Sequence, residues 1–359
     1  MKSRIAGFDL ARAYAIFGMF IVNFNFAFGS LMVPEGFWGR FLNLFTGNST
    51  AIFIMCAGMG VSLMAGNGDP SPEEKARIKS VILKRSWFLF ATGLLLFNWW
   101  SGDILHFYGG YLHFAAFLLF VPKRYYLVGA LLAILFFHVL IFIVPLNTGW
   151  DFSMFRYVDF WTPTGFIRNT FYNGWNAMFP WLAYFFTGMW MGKLDWKLKA
   201  TRQRFFASGL CIFMIIQLVR LLAKTNIFPP SATNYIMAEY FPPYLPFVLL
   251  TMSFAAMVIP VCMLIGDRFG HTAVVRALQK TGQLTLSHYV IHATLGMIIL
   301  ALLTGKQYTG FIEDEKPTES LIILLYSSVF YIGSVAFSVL WTRKFKTGPL
   351  ELLMRKFSG

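Results

Sequence analysis

The stretch YYLVGALLAILFFHVLIFIVP (125–145) runs for 21 residues without an Asp, Glu, Lys or Arg. That is enough to cross the hydrocarbon core of a bilayer as one helix, which takes about 20 apolar residues. Lys123 and Arg124 stand immediately before it, and no further basic residue follows until Arg156. Working outward with Gly, Pro and charge clusters as punctuation gives ten candidate spans, near 8–29, 41–65, 81–99, 103–121, 125–145, 174–192, 205–223, 244–266, 281–303 and 320–341. The expected fold is therefore an all-α, polytopic integral membrane bundle, one transmembrane domain over residues 1–359. The rest of the composition agrees. The 359 residues are 57% hydrophobic, 19% aromatic and only 13% charged, with a mean hydropathy of +0.60, which excludes an ordinary soluble domain.

A net charge of +14 would suggest a nucleic-acid partner in a soluble chain. Here the basic residues follow the loops instead. One alternating set of segments holds 22 of them, among them Lys2, Arg4, Lys84, Arg85, Lys123, Arg124 and Arg343, and the other set holds 6. Basic residues are retained on the cytoplasmic side, so both termini are expected inside, with no nucleic-acid role and the bilayer itself as first partner. A basic inner rim also suits a phosphorylated cytoplasmic ligand. The opening MKSRIAGFDLARAYAIF lacks a small-residue cleavage site and is expected to be retained as the first span. Cys56, Cys211 and Cys262 all fall in apolar runs, where cysteine is expected as a small buried hydrophobe. On the other side, loops 146–173 and 224–243 are long and rich in aromatic, Pro and Asn residues, and 304–319 carries Glu313, Asp314, Glu315 and Glu319. Long loops of this kind cap substrate sites in some proteins and are plain loop tips in more.

Ionisable and amide side chains inside spans are costly and mark sites by default. Asp9 and Arg12 are three apart at the inner end of the first span, where an ion pair that anchors the helix and a ligand contact are both open readings. Asn23 and Asn25 lie in the outer half of that helix, and hydrogen bonding between helices is the plain account. In SGDILHFYGGYLHF (101–114), Asp103 and His106 are three apart at the outer mouth of a span, with His113 seven residues on. A carboxylate that orients an imidazole is what a general base requires; a hydrogen-bonded helix cap is the alternative, and His113 alone reads as a core histidine. His288 and His292 in TGQLTLSHYVIHATLG (281–296) share one helical face. No carboxylate or Cys nearby completes a metal set with them, and a polar pocket shared with the Asp103 span is the better reading. His138, Gln217 and Arg220 read as isolated, with structural or headgroup roles.

Four stretches together resemble a known family. RIAGFDLARAYAIFGMFIVN (4–23), SGDILHFYGGYLH (101–113), TGQLTLSHYVIHATLG (281–296) and FKTGPLELLMR (345–355) are similar to signature elements of the YeiB-like bacterial membrane proteins, the domain-of-unknown-function family 418, and of their relatives around heparan-alpha-glucosaminide N-acetyltransferase. The resemblance gives a family-like core over 4–303 and a C-terminal span and tail over 320–359. It implies acyl transfer across a bacterial cytoplasmic membrane: acyl-CoA, with acetyl-CoA first, binds from the cytoplasm, and the acyl group reaches a sugar or other small acceptor outside, without a metal. Asn23 matches the family Asn. The lysosomal relative carries its catalytic His roughly a dozen residues later, whereas here Phe24 to Trp38 holds no His and Glu35 is its only ionisable group. The catalytic set expected is accordingly His106 with Asp103, then His292 with Asn23, and CoA binding is assigned to Asp9, Arg12, Lys84, Arg85, Arg124 and Arg343, with its phosphates at Lys84, Arg85, Arg124 and Arg343. A secondary transporter or channel for a small polar solute is the rival reading, a non-catalytic scaffold a third, and the oligomeric state is open.

Overall fold

The computed structural model describes residues 6–29, 36–66, 68, 70–153, 155–306 and 316–359. Lys2, Arg4, Glu35 and the acidic run at 313–315 lie outside the described residues. Along the chain come α1 (Ala6–Phe28), α2 (Gly36–Asn43), α3 (Asn48–Ala65), α4 (Pro72–Phe97), α5 (Leu105–Leu118) and α6 (Arg124–Ile143). A hairpin of β1 (Trp150–Asp151) and β2 (Arg156–Tyr157) follows, then α7 (Pro163–Arg168), a π-helical turn (Asn169–Asn173), α8 (Met178–Gly192), α9 (Lys199–Ala223), α10 (Pro230–Met237) and α11 (Leu245–Phe269). The last part holds α12 (Ala273–Gln283), α13 (Thr285–Ile291), a second π turn (His292–Gly296), α14 (Met297–Thr304), α15 (Ser320–Trp341) and α16 (Pro349–Ser358).

The protein is an all-α polytopic membrane protein, as expected. A spanning segment must satisfy every backbone N–H and C=O internally, which is why apolar stretches of this length form helices. Among the described residues, eight helical runs are long and apolar enough to cross: Ala6–Phe28, Gly36–Ala65, Pro72–Phe97, Arg124–Ile143, Lys199–Ala223, Leu245–Phe269, Thr285–Thr304 and Ser320–Trp341. The two expected spans missing from that set are α5, with 14 residues, and α8, with 15. Their regular helix is cut short because the expected spans 103–121 and 174–192 include the turns at Asp103 and at Gly174. α5 nonetheless runs back along most of α4: Gly93 meets His106 at one end, and the Lys79 ammonium lies 4.1 Å from the Phe117 ring centre at the other.

Cα packing divides the chain into two compact units. The first holds Met1–Phe53, Asp151–Arg156 and Met257–Leu353. Its centre is α1, whose Ala11, Ala13, Ala15, Ile16, Phe20, Ile21 and Phe24 are all buried. Small residues let other helices close on it: Gly7 is met by Met263 and Gly282 by the Asp9 carbonyl, so neither position has room for a side chain. The Tyr331 hydroxyl donates to the Ala13 carbonyl oxygen at 3.0 Å.

The second unit holds Ile54–Trp150, Tyr157–Ala256 and Met354–Gly359. Within it α8 carries Gly188 and Gly192 four residues apart, and these lie on the backbone of α3 at Met55 and Met59, the close approach that a small-xxx-small face permits. α6 and α9 turn large apolar side chains outward, among them Phe142, Met214, Leu218 and Leu221. On a soluble protein such faces would be aggregation-prone, and here they are the lipid-facing surface. The outward face of α9 corrects one expectation: Cys56 and Cys262 are buried, but Cys211 is exposed. His113 is another correction. It is half-buried rather than core, edge-on to Trp87 at 5.7 Å and beside Phe117 at 5.5 Å.

Candidate functional site

Two polar centres emerge, one in each unit. The one in the second unit is built where α4 ends and α5 begins. Asp103 lies just before α5, and its Oδ2 accepts from the His106 backbone N–H at 3.2 Å and faces His106 Nδ1 at 3.1 Å. The same carboxylate is thus helix cap and imidazole partner at once. Both side chains are fully enclosed. A carboxylate oxygen only accepts, so Nδ1 is the donor of this bond and Nε2 is the nitrogen that Asp103 leaves free. Nε2 has no hydrogen-bond partner. The ring is held by Phe107 (3.8 Å between centres), Phe97 (5.3 Å) and Phe160 (5.9 Å), with Phe97 and Phe160 stacked on each other at 3.8 Å. Gly93 opens the space for this: a side chain there would strike the His106 backbone and come to 2.7 Å from Asp103 Oδ2.

Residues 157–166 pack on the same aromatic layer through Tyr157, Phe160 and Phe166. The Arg168 guanidinium forks onto Asp159 at 2.6 and 2.7 Å and donates to Tyr157 Oη at 2.8 Å. Burial pushes the Tyr157 phenol above its ordinary value, against the pull of Arg168. Asn173 is fully used, donating to the Leu146 and Thr148 carbonyls and accepting from the Tyr157 hydroxyl. Asn176 donates to Tyr240 Oη at 2.6 Å.

The centre in the first unit joins α1 to the second π turn. Asn23 Nδ2 donates to His292 Nε2 at 2.8 Å, and His292 Nδ1 donates to the His288 carbonyl at 3.3 Å. His292 is buried among Phe20, Phe24 and Tyr289, whereas Asn23 is only half-buried. His292 therefore differs from His106: its basic nitrogen is occupied by Asn23, and it orients that amide. His288 Nε2 is paired with Ser338 Oγ at 2.7 Å. Asn25 Oδ1 is buried without a partner.

Of the residues expected to bind CoA, Asp9 and Arg12 belong to the first unit and pair at 3.4 Å, with Gln283 Nε2 donating to Asp9 Oδ2 at 3.2 Å. Arg343 in the same unit is exposed. Lys84, Arg85 and Arg124 belong to the second unit. Lys84 is exposed, Arg85 reaches Ser358 Oγ at 3.4 Å, and the exposed Arg124 opens α6 beside the Tyr125 ring at 5.1 Å. Neither His138 nor Arg220 is isolated as the sequence suggested: His138 Nε2 pairs with Tyr235 Oη at 2.9 Å, and Arg220 with Glu239 at 3.4 Å. These partners are 97 and 19 residues away, on α10 and after it.

Sequence reasoning missed two residues. Glu351 of the GPLE element accepts from the Leu286 and Ser287 backbone N–H groups at 2.8 and 3.2 Å and from the Ser287 hydroxyl at 2.5 Å, while Ser287 Oγ accepts from Leu350 N at 3.1 Å. This clasp holds the start of the helix that leads to His288 and His292. The other is Asn169, in the run NTFYNGWN (169–176), whose three Asn in an apolar setting were a visible signal.

The pair lies in a membrane-embedded helical bundle, and the family models that match the chain give its class, a membrane acyltransferase-like family. Residues 4–218 match the family model described as heparan-alpha-glucosaminide N-acetyltransferase, catalytic, and residues 189–359 match that of a protein of unknown function, DUF418. The first match covers more than half of the 359 residues, so the chain belongs to the heparan-alpha-glucosaminide N-acetyltransferase catalytic family, and its C-terminal part is similar to the DUF418 family. Comparison with curated proteins finds no match.

Proposed function

We propose that the protein transfers an acyl group from cytoplasmic acyl-CoA, acetyl-CoA first among the donors, to a hydroxyl or amine of an acceptor such as a sugar on the far side of a bacterial cytoplasmic membrane. The observation that carries this reading is His106: its Nδ1 side is fixed by Asp103, and its Nε2 has no hydrogen-bond partner within the aromatic enclosure. In the step proposed, the acceptor's O–H or N–H gives its proton to Nε2 as the oxygen or nitrogen bonds to the thioester carbonyl carbon. The C–S bond then breaks and the proton passes to the leaving CoA thiolate, so acyl-CoA and acceptor become acylated acceptor and free CoA. Asp103 stabilises the imidazolium between the two transfers. Enclosure by Phe97 and Phe160 excludes water, which would otherwise hydrolyse the thioester, and admitting the acceptor requires these rings to part.

The donor side is supported by the cations on α4. Arg85 stands eight residues before Gly93, about 12 Å along the helix at 1.5 Å per residue, and Gly93 packs on His106. Phosphates held at Lys84, Arg85 and Arg124 thus leave a span that the extended pantetheine arm of CoA can cover to present its thioester. Asn23, oriented by His292, is the second polar centre of the proposal, and Asp9, Arg12 and Arg343 are further cations and partners for the inner face.

Two results are expected. Acetyl-CoA should raise the melting temperature of the detergent-solubilised protein, because a ligand that binds only the folded state stabilises it by mass action; Arg85→Ala should reduce the shift. No shift at saturating acetyl-, propionyl- or succinyl-CoA would transfer the reading to a transporter. Reporter fusions at residues 160 and 235 should read outside and a C-terminal fusion inside, and a cytoplasmic signal at 160 would break the topology.

A further inference from the structure

Asn169 opens the π turn before α8 and is fully buried, yet both its amide nitrogen and its amide oxygen lack any hydrogen-bond partner. The next residue, Thr170, is buried with its hydroxyl equally unpaired. The contrast within one short segment is informative. Asn173 has three bonds and Asn176 has one, so the fold can satisfy amides here and does so within the residues that follow Asn169. Burying an amide without partners is costly, and native structures rarely tolerate it without a reason.

The location supplies one. A side-chain carbon on Gly174 would come to 2.7 Å from Asn169 Oδ1 and 2.5 Å from Phe107 Cζ, so the Asn169 amide and the Phe107 ring crowd the same point. Phe107 is also the ring nearest His106, whose Nε2 is likewise unpaired. π turns of this kind recur at functional sites, because the extra residue re-aims side chains.

We infer that Asn169 is an acceptor-binding residue: its carboxamide receives and gives one hydrogen bond to a hydroxyl or amide group beside the acceptor's nucleophile, which sets that nucleophile on His106 Nε2. This inference rests on the acyl-transfer reading for the nucleophile, but not for the binding site itself. The ligand chemistry is a group that donates and accepts at one atom, flanked by an apolar face against Phe97, Phe107 and Phe160, which describes a sugar ring better than a fatty or purely ionic acceptor.

Two variants test it, Asn169→Leu and the isosteric Asn169→Asp, with glucose, glucosamine and single-deoxy analogues as probes. Each variant should raise the acceptor KM at least tenfold, leaving kcat within about threefold and the acetyl-CoA KM unchanged. Asn169→Leu should also melt higher than the parent in detergent, since it deletes an unpaired buried amide. A lower melting temperature with an unchanged acceptor KM would make Asn169 a structural group and overturn the inference while leaving acyl transfer intact. If the parent transfers no acyl group but its tryptophan fluorescence is quenched by a sugar, and Asn169→Asp abolishes the quench, the binding site stands and the acyl-transfer reading fails. A parent that neither acylates nor binds any of these probes overturns both.

Discussion

Replacing His106 by Ala should abolish acyl transfer, a loss of about 10² to 10⁴ in rate for a positioned acid–base group, while acetyl-CoA still raises the melting temperature by the parent's increment. The expectation follows from the unpaired Nε2 and the Asp103 bond that fixes the other side of the ring. Asp103→Asn should impair transfer by a smaller factor and also loosen the start of α5, because Asp103 Oδ2 accepts from both the His106 ring and its backbone N–H. An amide oxygen in that position can still accept both bonds, so the loss is that of the carboxylate charge, which weakens each of them. His292→Ala, in contrast, should act through Asn23, whose amide it holds, and should be partly matched by Asn23→Ala, with the double variant no worse than the more damaging single one. Equal losses from His106→Ala and His292→Ala, strictly additive together, would contradict the distinction between base and orienting group.

The second large effect is expected at Glu351. Glu351→Ala strands the N–H groups of Leu286 and Ser287 and the Ser287 hydroxyl, and unpaired buried donors cost about 1–3 kcal/mol, so the melting temperature in detergent should drop by several degrees. The pH dependence has a definite sign. Burial raises the Glu351 carboxyl above its ordinary value of 4.5, outweighing the bonds from Ser287 and Leu286. The folded state therefore holds this proton more tightly than the unfolded chain, and the stability it contributes is complete below the ordinary value and lost as pH rises through the raised one. Melting temperature should fall across that window in the parent. Glu351→Gln, which cannot ionise, should lose the slope, and an unchanged slope would assign the titration to another group.

The membrane fold was legible because its signal is local: a run such as 125–145 needs no knowledge of its neighbours to read as a helix in lipid. The shortness of α5 and α8 was not, since hydropathy does not register the turns at Asp103 and Gly174 that interrupt backbone geometry. Asp103 with His106 was readable from a three-residue spacing, and Asn23 from its match to the family element. Their surroundings depend on distant partners. Asn23 meets His292 across 269 residues and Glu351 meets Ser287 across 64, and no periodicity encodes which amide finds which ring. The roles of Cys211 and His113 failed for a related reason: an apolar run says that a residue sits in the bilayer, but not whether it faces protein or lipid.

The account stands or falls on transfer across a sealed membrane. Protein reconstituted into vesicles would be supplied with acetyl-CoA, labelled in its acetyl group, on the side of the C-terminus and with glucosamine on the other side. The account predicts labelled acetyl-glucosamine on the acceptor side from the parent and none above background from His106→Ala. Unmodified glucosamine crossing the membrane without label, or labelled product formed equally by His106→Ala, would contradict it.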